Sequence, residues 1–124
     1  MTRKPHQIGG VILAELSLIP YYSFFMKNWI MIIPAIIVAY FVGKTASMIP
    51  DLIEPAKWHH RKFFHSWTVL LILSLALTVL YALYSQELNF ISNCNVCFWT
   101  TVIVSYISHL LFDAITPMGI PFFK

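Results

Sequence analysis

The sequence predicts an all-helical integral membrane protein, a bundle of four transmembrane helices. Of its 124 residues, 59% are hydrophobic and only 10% are charged, whereas roughly a quarter of the residues in a soluble domain are charged. Four long apolar stretches each approach the roughly 20 residues that a helix needs to cross a bilayer. The composition and the net charge of +3 exclude a disordered chain and a basic nucleic-acid-binding domain. The lipid bilayer is therefore the expected surrounding, and no direct binding of nucleic acid is expected.

The first two apolar stretches lie at about residues 7–25 and 29–49. Their apolar residues form continuous runs instead of alternating with polar ones, which favours helices over strands. Helices also satisfy all backbone hydrogen bonds within one segment, as the hydrocarbon core requires. Pro20 and Pro34 fall inside these stretches and are expected to be tolerated as kinks.

The start of the chain resembles a signal peptide, because Arg3 and Lys4 precede an apolar run. Such peptides end at a cleavage site of small residues. The first stretch instead contains Glu15 and Pro20 and has no site of that kind. We therefore expect it to be retained as the first transmembrane helix.

The last two stretches lie at about residues 63–84 and 96–115. The third contains an uncharged core, WTVLLILSLALTVLYALY, and the fourth carries His109 and Asp113 near its end. No repeat, linker or low-complexity segment separates the four stretches. The sequence thus predicts a single membrane domain over residues 1–124.

The positive charges predict the orientation of this bundle, because short cytoplasmic loops are enriched in lysine and arginine. With a cytoplasmic N-terminus, seven basic residues fall on the inner side: Arg3, Lys4, Lys44, Lys57, Arg61, Lys62 and Lys124. The outer side then holds only Lys27. We therefore expect both termini and the loop at residues 50–62 to face the cytoplasm, in a bacterial-type inner (plasma) membrane.

Two cysteines, Cys94 and Cys97, form a C-x-x-C pair in the predicted outer loop before the fourth helix. Such a pair can be a redox motif or half of a zinc site. The sequence has no second pair and no histidine beside it. We favour two small residues at a helix start, which an oxidising compartment would allow to form a disulfide.

The ionisable residues collect in one layer of the predicted bundle, on the cytoplasmic side. All five histidines fall there, together with three of the five acids: His6, His59, His60, His65, His109, Asp51, Glu54 and Asp113. Each helix contributes imidazole or carboxylate groups to this layer, and His109 and Asp113 share one helix face because they are four residues apart. Zinc and manganese accept such a mixture of nitrogen and oxygen ligands. The layer therefore predicts a divalent metal site, with zinc or manganese favoured.

A proton or ion relay is an alternative interpretation of intramembrane acids and histidines. Relays usually extend through the whole membrane, whereas this layer is confined to one side. Glu15 is the exception, because it lies nine residues beyond His6, roughly 13 Å deeper at 1.5 Å per residue. We expect Glu15 to form hydrogen bonds within the bundle or to a metal ligand, in preference to binding metal itself.

Three blocks of the sequence resemble the YdjM family of membrane-bound, metal-dependent hydrolases, described as inner-membrane and LexA-binding. SMIPDLIEP at residues 47–55 is similar to the family pattern L-P-D-x-D-H-P, and HRKFFHS at residues 60–66 is similar to H-R-G-x-T-H-S. SHLLFDAITPMG at residues 108–119 keeps the pattern S-H-x-x-x-D-x-x-T-x-x-G. A histidine such as His6, just before the first helix, is also typical of the family. The resemblance covers nearly the whole chain.

The resemblance implies a set of metal ligands, and it also shows departures from the family pattern. The implied ligands are His60, His65, His109 and Asp113, with Asp51 and His6 binding the metal or orienting its ligands. Ile53 stands at the family's second aspartate, Glu54 at the following histidine, and Lys62 and Phe64 replace a glycine and a threonine. The retained residues suffice for one open metal site.

The leading functional hypothesis is a metal-dependent hydrolase whose site lies at the cytoplasmic membrane face and acts on a lipid or another phosphoester. Asp51, Glu54 and Arg61 are the candidate catalytic residues, with Glu54 as a general base and Arg61 neutralising a substrate phosphate. One alternative is a non-catalytic membrane protein with a structural or degenerate metal site that acts through a membrane or cytoplasmic protein partner. A small ion or proton carrier is a third hypothesis. The sequence is also compatible with a homo-oligomer.

Overall fold

The computed structural model describes residues 3–53, 66–84 and 89–115, and these ranges contain helices and no strand. The helices are α1 (Arg3–Leu16), α2 (Tyr22–Lys27), α3 (Ile32–Ala46), α4 (Ile49–Ile53), α5 (Trp67–Tyr84) and α6 (Phe90–Ile115). Within the described ranges they form four segments long and apolar enough to cross a membrane, at Lys4–Lys27, Trp29–Ile53, Trp67–Tyr84 and Phe90–Ile115. The predicted all-helical membrane fold is confirmed.

Pro20 divides the first span into two shorter helices, whereas Pro34 lies near the start of a helix in the second span. Pro20 lies in a 3₁₀ turn between α1 and α2, where the Tyr21 N–H donates to the Leu18 carbonyl at 3.1 Å. Pro34 lies in the first turn of α3, where the N–H that proline lacks would have no partner within the helix. The first proline thus interrupts its helix instead of kinking it, and the second falls at a helix start.

α1 and α3 pack against each other through small residues. A Cβ atom added at Gly43 would lie 2.7 Å from the Gly10 carbonyl oxygen and 2.9 Å from the Ala14 Cβ. A Cβ atom at Gly10 would in turn meet the Gly43 carbonyl oxygen and Ser47. Small residues let membrane helices approach until their backbones touch. This contact places the start of α1 beside the end of α3 and the short helix α4.

α6 is the central helix, in contact with α1, α3, α4 and α5. Its buried face is rich in hydroxyl groups, and each of three donates to a carbonyl four residues earlier: Thr100 to Val96 at 2.8 Å, Thr101 to Cys97 at 2.9 Å, and Ser105 to Thr101 at 2.7 Å. These bonds satisfy polar groups that burial would otherwise penalise. Tyr21 also pairs its hydroxyl with that of Thr100 at 2.7 Å, which joins the first span to the last.

α6 begins earlier than the apolar stretch predicts, at Phe90 instead of residue 96. The Asn89 side-chain oxygen accepts a hydrogen bond from the Ser92 N–H at 2.9 Å, which is the geometry of an N-terminal helix cap. Cys94 and Cys97 therefore lie within the helix and not in a loop, and both are free thiols. Cys97 is buried in a hydrophobic cluster with Tyr21 and Phe24.

The outer faces of the helices are apolar. Exposed side chains include Ile8, Ile12, Ile19, Ile33, Phe41, Leu71, Leu75 and Ile91. A soluble monomer rarely exposes an apolar surface of this extent, but the hydrocarbon core of a bilayer covers it without cost. The buried side chains of His6, His109 and Asp113 instead lie inside, at the end of the bundle where α1 starts and α6 ends.

Candidate metal site

Four of the predicted site residues come together at this end of the bundle. His6 lies in the second turn of α1, Asp51 lies in α4, and His109 and Asp113 lie one turn apart near the end of α6. α6 contacts both α1 and α4, so the three elements bring their side chains to a common point. The sequence pattern places only His109 and Asp113 on one face, and the packing of the helices adds the other two.

The distances between the side chains are short. His109 Nε2 lies 3.3 Å from Asp113 Oδ2 and 3.4 Å from Asp51 Oδ1. His6 Nε2 lies 3.7 Å from Asp113 Oδ1. His6, His109 and Asp113 each offer one ligand atom, and these three atoms all lie within 4.8 Å of one another. One small ion could therefore contact all three side chains.

Burial differs across the site, and the difference gives it an open side. His109 is 0% exposed, Asp113 is 1% exposed and His6 is 3% exposed. The Asp51 side chain is 33% exposed. The three buried residues form the floor of the site, and Asp51 stands at its exposed edge.

The side chains present fit a divalent cation. Ligand atoms about 2.1 Å from a tetrahedral zinc ion lie roughly 3.4 Å apart, close to the 3.3 Å and 3.4 Å that separate His109 Nε2 from the two carboxylates. Two ionised carboxylates and two neutral imidazoles would carry a formal charge of −2, which a divalent ion neutralises. His6 Nδ1 is buried and has no hydrogen-bond partner among the described residues. A ligand at this end of the bundle would offset the cost of burying these groups.

Aromatic contacts hold the two imidazoles in place. The rings of His6 and His109 are stacked, with centroids 4.2 Å apart and an angle of 27° between their planes. Phe112 meets His6 edge-on, with centroids 6.0 Å apart. Gly9 makes room for this ring, because a Cβ atom there would overlap the Phe112 side chain. Phe112 and Gly9 were not predicted from the sequence pattern, although Phe112 lies three residues after His109 and so near the same helix face.

The hydroxyl groups around the site are bonded to the backbone. Ser47, Ser105 and Ser108 are fully buried, and they donate to the carbonyls of Lys44 at 3.2 Å, Thr101 at 2.7 Å and Ser105 at 2.7 Å. Ser66 Oγ accepts a hydrogen bond from the Val69 N–H at 3.3 Å, at the start of α5. These serines complete the helices around the site and are not arranged as nucleophiles.

The other four predicted site residues lie outside the described residues: Glu54, His60, Arg61 and His65. Their predicted roles as ligands, general base and phosphate-binding group therefore stay predictions. Ile53, the residue at the family's second aspartate, ends α4 with a half-exposed side chain.

The fold and the site together define a class: a small helical membrane protein with a buried His/Asp group, capable of holding a metal ion, between its first and last spans. The chain belongs to the family described as YdjM inner membrane protein, whose family model matches residues 1–124. This match confirms the resemblance predicted from the three sequence blocks. No curated protein and no solved structure matches the chain.

Proposed function

We propose that this protein is a membrane-bound, metal-dependent hydrolase with a zinc or manganese ion held by His6, His109 and Asp113. The observation that carries the proposal is the convergence of these three buried side chains, whose ligand atoms lie within 4.8 Å of one another. Buried titratable groups without a ligand are costly, and the donor set suits a borderline divalent metal. His60 and His65 are proposed as further ligands on the grounds of the family pattern.

The residues of the site divide into two roles under this proposal. When bound, the metal ion lowers the pKa of a water molecule and polarises a phosphoryl or carbonyl oxygen. His109 and Asp113, fully buried on α6, fix the ion and exclude solvent from its inner side. Asp51, at the exposed edge 3.4 Å from His109 Nε2, is placed to bind the ion or to accept a proton from water. Glu54 and Arg61 are proposed as general base and phosphate-binding group.

A lipid or another phosphoester at the membrane surface is the proposed substrate. α4 carries Asp51 together with two apolar residues that point outward, Leu52 and Ile53, which are 74% and 48% exposed. Apolar side chains at a membrane interface insert among acyl chains. The short helix therefore combines a carboxylate at the site with a surface suited to lipid.

Hydrolysis by purified protein in lipid nanodiscs tests the proposed activity. We expect release of phosphate or alcohol from bis(p-nitrophenyl) phosphate, p-nitrophenyl phosphate or phosphatidic acid, lost on treatment with EDTA and restored by zinc or manganese. Replacing a residue that orients the ligands of a metal site typically lowers affinity or activity 10–100-fold. His109→Asn removes a ligand itself, so it should lower the rate of hydrolysis at least about 100-fold. The control is Thr45→Ala, an exposed position on α3 whose hydroxyl bonds only to its own helix.

Ile53 favours a second candidate, a non-catalytic protein with a structural metal site that acts through a protein partner. An isoleucine cannot replace a metal-binding aspartate, and Ile53 occupies that position at the open side of the site. Stoichiometric metal without turnover of any phosphoester in the nanodisc assay would favour this candidate over the hydrolase. Activity that depends on both metal and His109 would exclude it.

The site end of the bundle is proposed to face the cytoplasm. Among the described side chains, the exposed Lys4 and Lys44 lie towards this end and Lys27 lies at the other, in agreement with the positive-inside rule. A green fluorescent protein fused after Lys124 should fluoresce, because it folds in the cytoplasm, and alkaline phosphatase at the same point should be inactive. The reverse result would place the site outside, and a fusion at the Lys27–Trp29 turn should give the opposite pattern from the C-terminal one.

A further inference from the structure

A further ionisable side chain lies within the first span, away from the metal site. Glu15 is near the midpoint of the first span, Lys4–Lys27, and its side chain is half-buried. Ionisable residues at this depth are costly and usually have a function. The proposed metal site does not include Glu15, because His6 lies two and a half turns closer to the start of α1.

Glu15 borders an open cavity of about 330 Å³ between the first span and α3, on the outer face of the bundle, where Tyr22 and Met26 are exposed. Tyr22 and Phe25 line it from α2, and Ile32, Ala35 and Ile36 line it from the start of α3. Clefts of roughly this size, mostly apolar and with few polar groups, are typical of small-molecule sites. The Glu15 carboxyl is the one ionisable group in the lining, apart from the phenol of Tyr22.

A second apolar cavity of about 340 Å³ lies next to the first and extends the space towards α6. Leu18, Phe25 and Ala35 line both cavities, so these three side chains form the boundary between them. The second cavity reaches Cys97 and Thr101 on α6. The two cavities are thus adjacent apolar spaces, and the Glu15 carboxyl borders only the first.

The Glu15 carboxyl has no partner within the described ranges. It forms no hydrogen bond and no ion pair there, although polar groups in a membrane interior normally pair with one another. Lys44 is a cation in the neighbouring span and follows Gly43, which packs against Gly10. Gly10 lies five residues before Glu15, about 7.5 Å away along the helix axis. Among the described residues, none satisfies the carboxylate at its own depth, which leaves a place for a charged group from a ligand.

We propose that the cavity beside Glu15 binds a lipophilic cation, a molecule with one positive charge and a bulky apolar body. The positive charge would pair with the Glu15 carboxylate, and the apolar body would pack against Ile32, Ala35 and Ile36. The faces of the Tyr22 and Phe25 rings also attract cations. Charge complementarity selects this occupant over a second copy of the chain, because a two-fold dimer would bring another Glu15 to the same depth and no cation.

Binding of tetraphenylphosphonium to the full chain in nanodiscs, measured by equilibrium dialysis, tests the proposal. Wild-type protein should bind this cation at least tenfold more tightly than the neutral triphenylphosphine oxide. Glu15→Gln should weaken binding of the cation at least tenfold, and Glu15→Asp should retain most of it because the charge remains. Ala35→Leu should also weaken binding by filling the space, whereas Ala82→Leu, an exposed position on α5, should leave it unchanged.

Three results would overturn the proposal. Equal affinity of the wild-type protein for the cation and the neutral compound would show that the carboxylate takes no part, and this comparison needs no variant to fold. Unchanged cation binding in Glu15→Gln or in Ala35→Leu would place the ligand elsewhere. A loss of dimers in Glu15→Gln, with cation binding unchanged, would identify the cavity as an interface between two copies.

Discussion

His109→Ala is expected to reduce bound metal from about one equivalent per chain to below a tenth. His109 Nε2 lies within 3.4 Å of two carboxylates and its ring stacks on His6, so its removal takes away the nitrogen at the centre of the group. Loss of a residue that orients the ligands already lowers metal affinity 10–100-fold. Loss of a ligand should therefore lower metal affinity at least about 100-fold. Metal analysis of protein purified in detergent and dialysed against zinc or manganese measures this directly.

Asp113→Ala should have the same effect, because Asp113 contacts both histidines. Asp51→Asn should cause a smaller loss, since the Asp51 side chain is one-third exposed and approaches only the edge of the group. Glu15→Gln provides a matched control that removes a carboxylate outside the site and should leave metal content unchanged. Helical circular dichroism and gel filtration must show that each variant keeps its fold. Wild-type protein with far less than one equivalent of metal, or variants with unchanged metal, would contradict the proposed site.

Gly43→Ala should destabilise the protein by about 2 kcal/mol, a typical cost of overpacking a tight contact. The added methyl group would lie 2.7 Å from the Gly10 carbonyl oxygen and 2.7 Å from the Val11 Cα. These are backbone atoms, which cannot turn aside, so α1 and α3 would have to separate. Reversible unfolding in mixed micelles of increasing SDS content measures the change in the free energy of unfolding.

Gly9→Ala is the matched comparison, the same substitution one residue before Gly10. The atoms nearest to its methyl group would be outer atoms of the Phe112 ring, which can rotate away, so we expect a loss below about 1 kcal/mol. Metal affinity should nevertheless fall, because Phe112 packs against His6. Equal destabilisation by the two substitutions would show that the backbone contact between Gly10 and Gly43 does not limit the packing of α1 and α3.

The spans could be predicted from the sequence because lipid imposes a simple requirement, a run of about 20 apolar residues. The breaks within them could not, since hydropathy does not register the 3₁₀ turn that Pro20 requires. Hydropathy also does not predict the start of α6, whose first turns mix apolar and polar residues. The signal there is local, the cap that the Asn89 side chain forms.

The site could be predicted in part, for a similar reason. The spacing of four residues predicts that His109 and Asp113 share one helix face. The positions of His6 and Asp51 relative to them depend on which helices pack against α6. The close contact that positions α1 rests on Gly10 and Gly43, one glycine from each of two helices. Such a contact leaves no periodic pattern in one sequence, and neither does the fit of Phe112 over Gly9. These features are set by tertiary packing and not by local preference.

The site joins the two ends of the sequence, and this has a consequence for biosynthesis. His6 enters the membrane with the first span and Asp113 only with the last, 107 residues later. A ribosome-bound chain with three inserted helices holds one of the three converging ligands, His6, and lacks the His109–Asp113 pair altogether. If the group binds a metal ion as proposed, the ion can be captured only after α6 has been inserted, because the three side chains do not come together before that step.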